Sequence, residues 1–141
     1  EYILTKANDL ETAQFELQDR VVPGPMTNGL EPRMVSNSTV PQRVGEHYWI
    51  LVHQKDADHV YHDYLVQLNG ASLRPMQISN RPVISGGDCE GFWRGFLTVY
   101  SLLIEDDQVV ISFGEGDRFS GVATASIADL ANTPMQPLIP G

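Results

Sequence analysis

The chain has 141 residues, which predicts one domain; at about 150 residues a chain buries roughly 68–70% of its unfolded surface, so no metal or disulfide staple is needed. Nine Lys and Arg against eighteen Asp and Glu give a net charge of −9, a field that repels phosphate backbones and anionic lipid and argues against nucleic acid or a membrane surface as partner. Apolar runs such as Trp49-Ile50-Leu51-Val52 fall far short of the ~20 residues that cross a bilayer, and the lone cysteine, Cys89, excludes an internal disulfide framework and four-cysteine zinc sites.

In chain order, Asn8-Asp9-Leu10-Glu11 carries a capping signal, and Leu10, Ala13 and Leu17 share a helical face, so a helix is expected over about 9–19. Pro23-Gly24-Pro25 ends it, and loop follows to Pro32. Short β-type runs come next: Met34 to Val40, His47 to His53, His59 to Leu68 and Met76 to Ile84, each bounded by Pro, Gly, Asn or acidic turns. Asn69-Gly70 predicts a tight turn, since both residues tolerate positive φ. The stretch 88–104 supports two readings. As a helix it is capped by Ser85-Gly-Gly-Asp88 and carries Phe92, Phe96, Val99 and Leu103 at i, i+4, i+7 and i+11. As strands, Phe96 to Ile104 and Val109 to Phe113 form a hairpin around Glu105-Asp106-Asp107-Gln108, which Thr98, Val99 and Tyr100 favour. Phe119 to Ala125 reads as a strand and Ser126-Ile-Ala-Asp129 as a capped helical turn.

The ends read as those of a piece of a longer protein. Glu1 opens the chain without an initiator Met or signal-peptide pattern, and residues 133–141 form a Pro-rich strap after a globular domain over 1–132. Asn37-Ser38-Thr39 is the one glycosylation sequon, too short a motif to set a compartment.

The chemistry starts from the histidines, which all fall between His47 and His62 with Asp56, Asp58 and Asp63 interleaved. Imidazole and carboxylate bind zinc, but on a strand His59 and His62 point to opposite faces. A polar turn is the simpler reading, and no metal or other cofactor is expected. Asp56-Ala57-Asp58 opens like a calcium loop but has Tyr61 at the sixth position and Gln67 at the twelfth, where Gly and Glu are needed. Cys89 is flanked by Asp88 and Glu90, whose charge disfavours a thiolate. The chain has no Gly-x-Ser-x-Gly elbow, and Gly114-Glu-Gly116-Asp places acids where a phosphate loop needs donors. No catalytic residue is expected. Two places suit sugar binding, where rings stack on C–H faces and polar groups read hydroxyls. One is His59-Val-Tyr61-His62-Asp63-Tyr64 and the other Trp93-Arg94, beside glycines that let a ligand approach the backbone. The candidate glycan-binding residues are Trp93, Arg94, His59, Tyr61, His62 and Tyr64, set against the ordinary role of Tyr61 and Trp93 as packing residues.

The run His47-Tyr-Trp-Ile-Leu-Val52 resembles the Tyr-Trp-hydrophobic strand early in the head domain of the rotavirus outer-capsid spike protein. Met76-Gln-Ile-Ser-Asn80, Phe92-Trp93 and Thr98 to Ile111 fall in a similar order to later strands of that head, and the likeness covers about half the chain. The common heads resemble galectins, with two packed antiparallel sheets. The helix signals of this chain depart from them and look more like a divergent head such as the group B type, in which a sheet clasps a helix. The resemblance implies a non-catalytic attachment domain on the virion surface. Its partners would be host cell-surface glycans, galactose-containing ones of the N-acetyllactosamine type among them, and the remainder of a parent spike protein. The fold expected is α+β and β-rich, an antiparallel sheet packed around one helix, with an all-β galectin-like sandwich as the alternative. The alternative functions are a protein-interaction or structural module of a larger capsid or adhesin, and a small hydrolase.

Overall fold

A computed structural model describes residues 2–9, 14–21, 35–89 and 91–138. Its strands are β1 (Tyr2–Asp9), β2 (Gln14–Val21), β3 (Val35–Asn37), β4 (Gln42–Val44), β5 (His47–Lys55), β6 (Tyr61–Asn69), β7 (Pro75–Ser79), β8 (Ile84–Ser85), β9 (Leu97–Glu105), β10 (Gln108–Glu115), β11 (Phe119–Ser126) and β12 (Met135–Pro137). A 3-10 turn covers Gly86–Asp88, and the single helix among the described residues, α1, covers Ile127–Ala131. The fold is thus β-rich α+β, built from antiparallel sheets with one short helix, as the sequence led us to expect.

The larger sheet runs β12-β7-β6-β5-β3, with β4 also pairing to β5 and β8 to β6; a second sheet runs β11-β10-β9. β5 and β6 pair without a register break from His47↔Asn69 to Lys55↔Tyr61. Alternation then sorts their side chains onto two faces. On one face Trp49, Leu51 and Leu65 join Leu97, Val99, Leu102, Val109 and Ile111 of the second sheet, and Leu130 of α1 packs into the same cluster. On the other face Ile50, Val52, Tyr64, Val66, Leu68 and Ile78 form a second cluster, into which Leu138 of the Pro-rich strap is buried. β12, within that strap, pairs with β7 at the sheet edge, where Pro137 is tolerated because no further strand needs its N–H.

The helix expected over 9–19 is absent: β1 and β2 pair as an antiparallel hairpin, with residues 10–13 outside the described part. Phe15, Leu17 and Val21 also fit a period of two, and strand pairing wins over the cap signal. Of the stretch 88–104, residues 97–104 form strand, and residues 91–96 form a loop. β9 pairs with β10 from Glu105↔Gln108 to Leu97↔Glu115 around a turn at Asp106 and Asp107, with Asp106 at φ 52°. β9 keeps Leu97, Val99 and Leu102 inside and leaves Tyr100 and Leu103 exposed, the half-buried pattern of a sheet rather than a helix wrapped on all sides. The capped turn expected at Ser126 is present: Ser126 and Asp129 form a reciprocal capping box on α1.

The Asn69-Gly70 turn forms by a different device from the one expected. Asn69 Oδ1 accepts the backbone N–H groups of Ala71 and Ser72, and positive φ falls on Leu73 at 57°. Gly70 is needed for space, since a Cβ there would lie 1.9 Å from the carbonyl oxygen of Glu46. Gly70→Ala is therefore expected to lower stability by about 1–3 kcal/mol, as overpacking does. Leu65→Ala, at a position with no exposure, should cost about 2–5 kcal/mol. Chemical denaturation measures both, and a Gly70→Ala protein as stable as the wild type would refute the steric account.

Candidate functional site

The β5–β6 hairpin ends in a turn shaped by one carboxylate. Asp56 Oδ1 accepts the N–H groups of Asp58 and Val60, each at 2.9 Å, and Asp56 Oδ2 lies 3.0 Å from His62 Nε2. Partial desolvation raises the Asp56 pKa, but these hydrogen bonds outweigh it and hold the group below its ordinary value. The turn sets His59 at φ 64° and starts β6 at Tyr61.

The loop 91–96 is tied down at both ends. Phe92 N–H donates to the carbonyl of Gly116, Gly116 N–H to Phe96, and Tyr61 N–H to Gly95. Gly91 at φ 131° and Gly95 at φ 79° allow this closure: a Cβ on Gly91 would meet Gly116 backbone at 2.7 Å, and one on Gly95 would meet Val60 at 3.1 Å. The glycines beside Trp93-Arg94 therefore serve the approach of the chain to itself rather than of a ligand to the backbone. What the loop delivers is a cleft of about 320 Å³ lined by Lys55, His59, Tyr61, Trp93, Arg94, Phe96 and Asp117. Tyr61 and Phe96 meet edge to face at 5.0 Å, Lys55 Nζ lies 6.0 Å from the Tyr61 ring centre, and Trp93 is 64% exposed. In a chain of net charge −9, this cleft gathers two of nine cationic side chains beside one carboxylate.

Four of the six residues expected to bind glycan, His59, Tyr61, Trp93 and Arg94, line this cleft. His62 lies apart, with both ring nitrogens engaged, one on Asp56 and the other on Ser85 Oγ at 2.8 Å. Tyr64 is 5% exposed within the second apolar cluster, where its ring is a core element. Lys55, Phe96 and Asp117 were not singled out from sequence; the i to i+6 offset of Lys55 from Tyr61 across an acidic turn was the one available signal. Cys89 is partly buried against the first cluster, and in place of a helix start the 3-10 turn precedes it.

Next to Tyr61 lies a polar row that sequence reasoning also missed. Ser36, His53 and Asp63 are register partners on β3, β5 and β6. The His53 ring is 5.6 Å from the Tyr61 ring; its Nε2 is 2.7 Å from Ser36 Oγ and its Nδ1 3.1 Å from Ser38 Oγ. Ser38 Oγ donates to Asp63 Oδ1. Asp63 has no exposed surface, and its Oδ2 has no partner among the described residues. Burial drives its pKa from the ordinary 3.8 to about 6, against the lowering effects of Ser38 and His62. Burial also lowers the pKa of His53.

A second cavity, of about 700 Å³, opens between the 80–83 segment after β7, β10, β11 and α1, lined by Val109, Ile111, Ala123 and Leu130 together with Asn80, Arg81 and Asp129. It is larger but has no aromatic side chain in its lining, and its carboxylate accepts the Ser126 N–H and O–H in the α1 cap.

No family model and no curated protein matches the sequence. A solved structure of similar fold is that of the β-1,2-mannobiose phosphorylase from Listeria innocua in complex with β-1,2-mannobiose. It has a TM-score of 0.61 and 17% identity, over 69% of this chain and 29% of that one. At that identity the likeness is one of fold, and this chain spans less than a third of that protein's length.

The raised Asp63 pKa has a consequence for stability. The folded state binds this proton more tightly than the unfolded chain, so the stabilisation is complete below about pH 4 and is lost as pH rises through about 6. The full difference corresponds to at most about 3 kcal/mol. Asp63→Asn should therefore gain stability relative to wild type as pH rises across that window and keep the gain at neutrality. Denaturation series of both proteins at several pH values test this, and parallel pH profiles would show that Asp63 titrates as an ordinary carboxylate.

Proposed function

We propose that this domain binds carbohydrate in the cleft between Tyr61 and Trp93. The observation that carries the reading is the convergence of the Tyr61, Phe96 and Trp93 rings with Lys55, His59, Arg94 and Asp117 around one opening. Aromatic rings take up the apolar C–H faces of a sugar, and fixed donors and acceptors then read its hydroxyl groups; few other small ligands need both in alternation. The cleft volume lies at the lower end of the ~300–1,000 Å³ range of ligand pockets, which fits a short saccharide or the terminal unit of a glycan. Tethering of the 91–96 loop to both Gly116 and Tyr61 pre-organises the site, which reduces the ordering cost of binding. The fold likeness to a phosphorylase bound to a mannose disaccharide supports the same ligand class.

The proposal concerns binding and assigns no catalysis. The spike-head resemblance would place such binding at a virion surface, with host glycans as ligands; the cleft serves that role without change. The observation against a purely structural module is the exposure of Trp93, because an indole 64% open to solvent contributes little to packing.

A glycan-array screen followed by calorimetry tests the reading. Trp93→Ala is expected to weaken binding at least about tenfold, or about 1.4 kcal/mol, without loss of fold. Arg94→Ala should weaken it less, and Val122→Ala, exposed on β11, should leave it unchanged. Binding that survives Trp93→Ala would move the site elsewhere, and no binding across the array would sink the carbohydrate reading.

A further inference from the structure

The polar row beside the cleft is a continuous chain of hydrogen bonds from an exposed hydroxyl to a fully buried carboxylate. It runs Ser36, His53, Ser38, Asp63, and its three links are closed. We propose that this relay sets whether Ser36, which lies outside the cleft lining but on the same sheet face as Tyr61, offers a lone pair or an O–H to a hydroxyl of a saccharide that extends past Tyr61; the proposal rests on the carbohydrate reading of the cleft.

Each link has a direction. With Asp63 ionised, Ser38 O–H donates to Asp63 Oδ1, so Ser38 Oγ accepts from His53 Nδ1–H. His53 Nε2 is then bare and accepts from Ser36 O–H, which leaves Ser36 only lone pairs for a ligand. When one proton enters at Ser36 from solvent, Ser36 passes its own proton to Nε2, Nδ1 passes its proton to Ser38, and Ser38 passes its proton to Asp63. The count balances at one proton taken up. Every link is reversed, His53 is neutral in its other tautomer, and Ser36 now has an O–H free to donate outward.

The setting favours this response over charging His53. Asp63 has an unpartnered Oδ2 and no exposure, so neutralising it removes an uncompensated buried charge. An imidazolium would add a second charge at a ring already penalised by burial. The titratable groups near Asp63 are His53 and Lys55 on β5, Tyr61, His62 and Tyr64 on β6 itself, of which His62 and Tyr64 alternate to the opposite face, and Cys89 after the 3-10 turn; His47 and Tyr48 lie at the far end of β5. From the second sheet, Leu97 and Val99 on β9 face this side with apolar groups. Of these, His62 acts on Asp63 by charge and opposes neutralisation, and His53 is the group joined to it through Ser38. The relay reaches the cleft through the contact of the His53 ring with Tyr61.

Nitrogen-resolved imidazole spectra of the ligand-free protein, from about pH 8 to about pH 4.5, test the relay independently of any glycan. The expected result is a neutral His53 with its proton on Nδ1 at high pH, converting to the neutral Nε2–H form as pH falls through about 6. Ser38→Ala should abolish the conversion and Ser38→Thr, which keeps the hydroxyl, should restore it. Direct conversion of His53 to imidazolium, or an unchanged titration in Ser38→Ala, overturns the relay. Calorimetry with a glycan found on the array then tests the sugar-facing half. Affinity should change roughly fivefold between about pH 5 and about pH 7.5, the worth of one hydrogen bond, in wild type and not in Ser38→Ala. Glycan binding with the same pH dependence in both proteins overturns the link to the ligand. A tautomer switch with no glycan binding on the array overturns the carbohydrate reading and, with it, the role of Ser36 as a sugar contact.

Discussion

The structure depends on the register of one strand pair. β5 and β6 match nine residues without a bulge, and their side chains alternate between two apolar clusters that share no member. A slip of one residue would exchange the faces: Leu51 and Leu65 would leave the interior between the sheets, and Gln54 and His62 would enter it. Both faces must be covered for the pair to hold. The β9–β11 sheet and α1 cover one, and Leu138 packs into the cluster on the other.

Because the register is fixed, composition along the ladder becomes position in space. On the face toward the second sheet the paired rows read Trp49 and Gln67, Leu51 and Leu65, His53 and Asp63, Lys55 and Tyr61. Apolar rows give way to polar ones within about 7 Å of strand at the usual rise per residue. The polar end coincides with the place where the tethered 91–96 loop brings in Trp93, Arg94 and Phe96. The cleft is thus a product of where the hydrophobic pattern of the hairpin stops.

Much of the strand layout was legible, because β-branched and aromatic runs bounded by turn residues carry their own signal. The two helix readings failed for a common reason. Asn8 with Glu11, and Ser85 with Asp88, are cap-like pairs of short range, whereas long-range pairing decided both segments: β1 with β2, and β9 with β10. Of the site, Tyr61 and Trp93 were legible as aromatics among polar neighbours. Asp117 and Phe96 were not, since each gains meaning only when the loop closes on Gly116. The sequon Asn37-Ser38-Thr39 illustrates the same gap. Read as a motif it implied little, yet Thr39 Oγ1 accepts the N–H of Leu51 in the core and Ser38 joins His53 to Asp63.

The position of Asp63 is one place where the fold works against its own stability; the fully buried Gln54, with both amide atoms unpartnered among the described residues, is another. The neighbouring row on its face pairs Leu51 with Leu65, and a leucine at 63 would continue that apolar face without a desolvation cost. Instead the chain buries a carboxylate, gives it one side-chain hydrogen bond, from Ser38, and leaves its second oxygen without a partner among the described residues. A buried acid so weakly compensated costs more than a hydrophobic side chain of similar volume. Packing of the two clusters gives no reason for it, since Leu51 and Leu65 are already fully enclosed. What distinguishes position 63 is its connection, through Ser38 and His53, to the ring of Tyr61 at the cleft wall. An unfavourable group that is linked to a site and contributes nothing to the core has its physical rationale at the site.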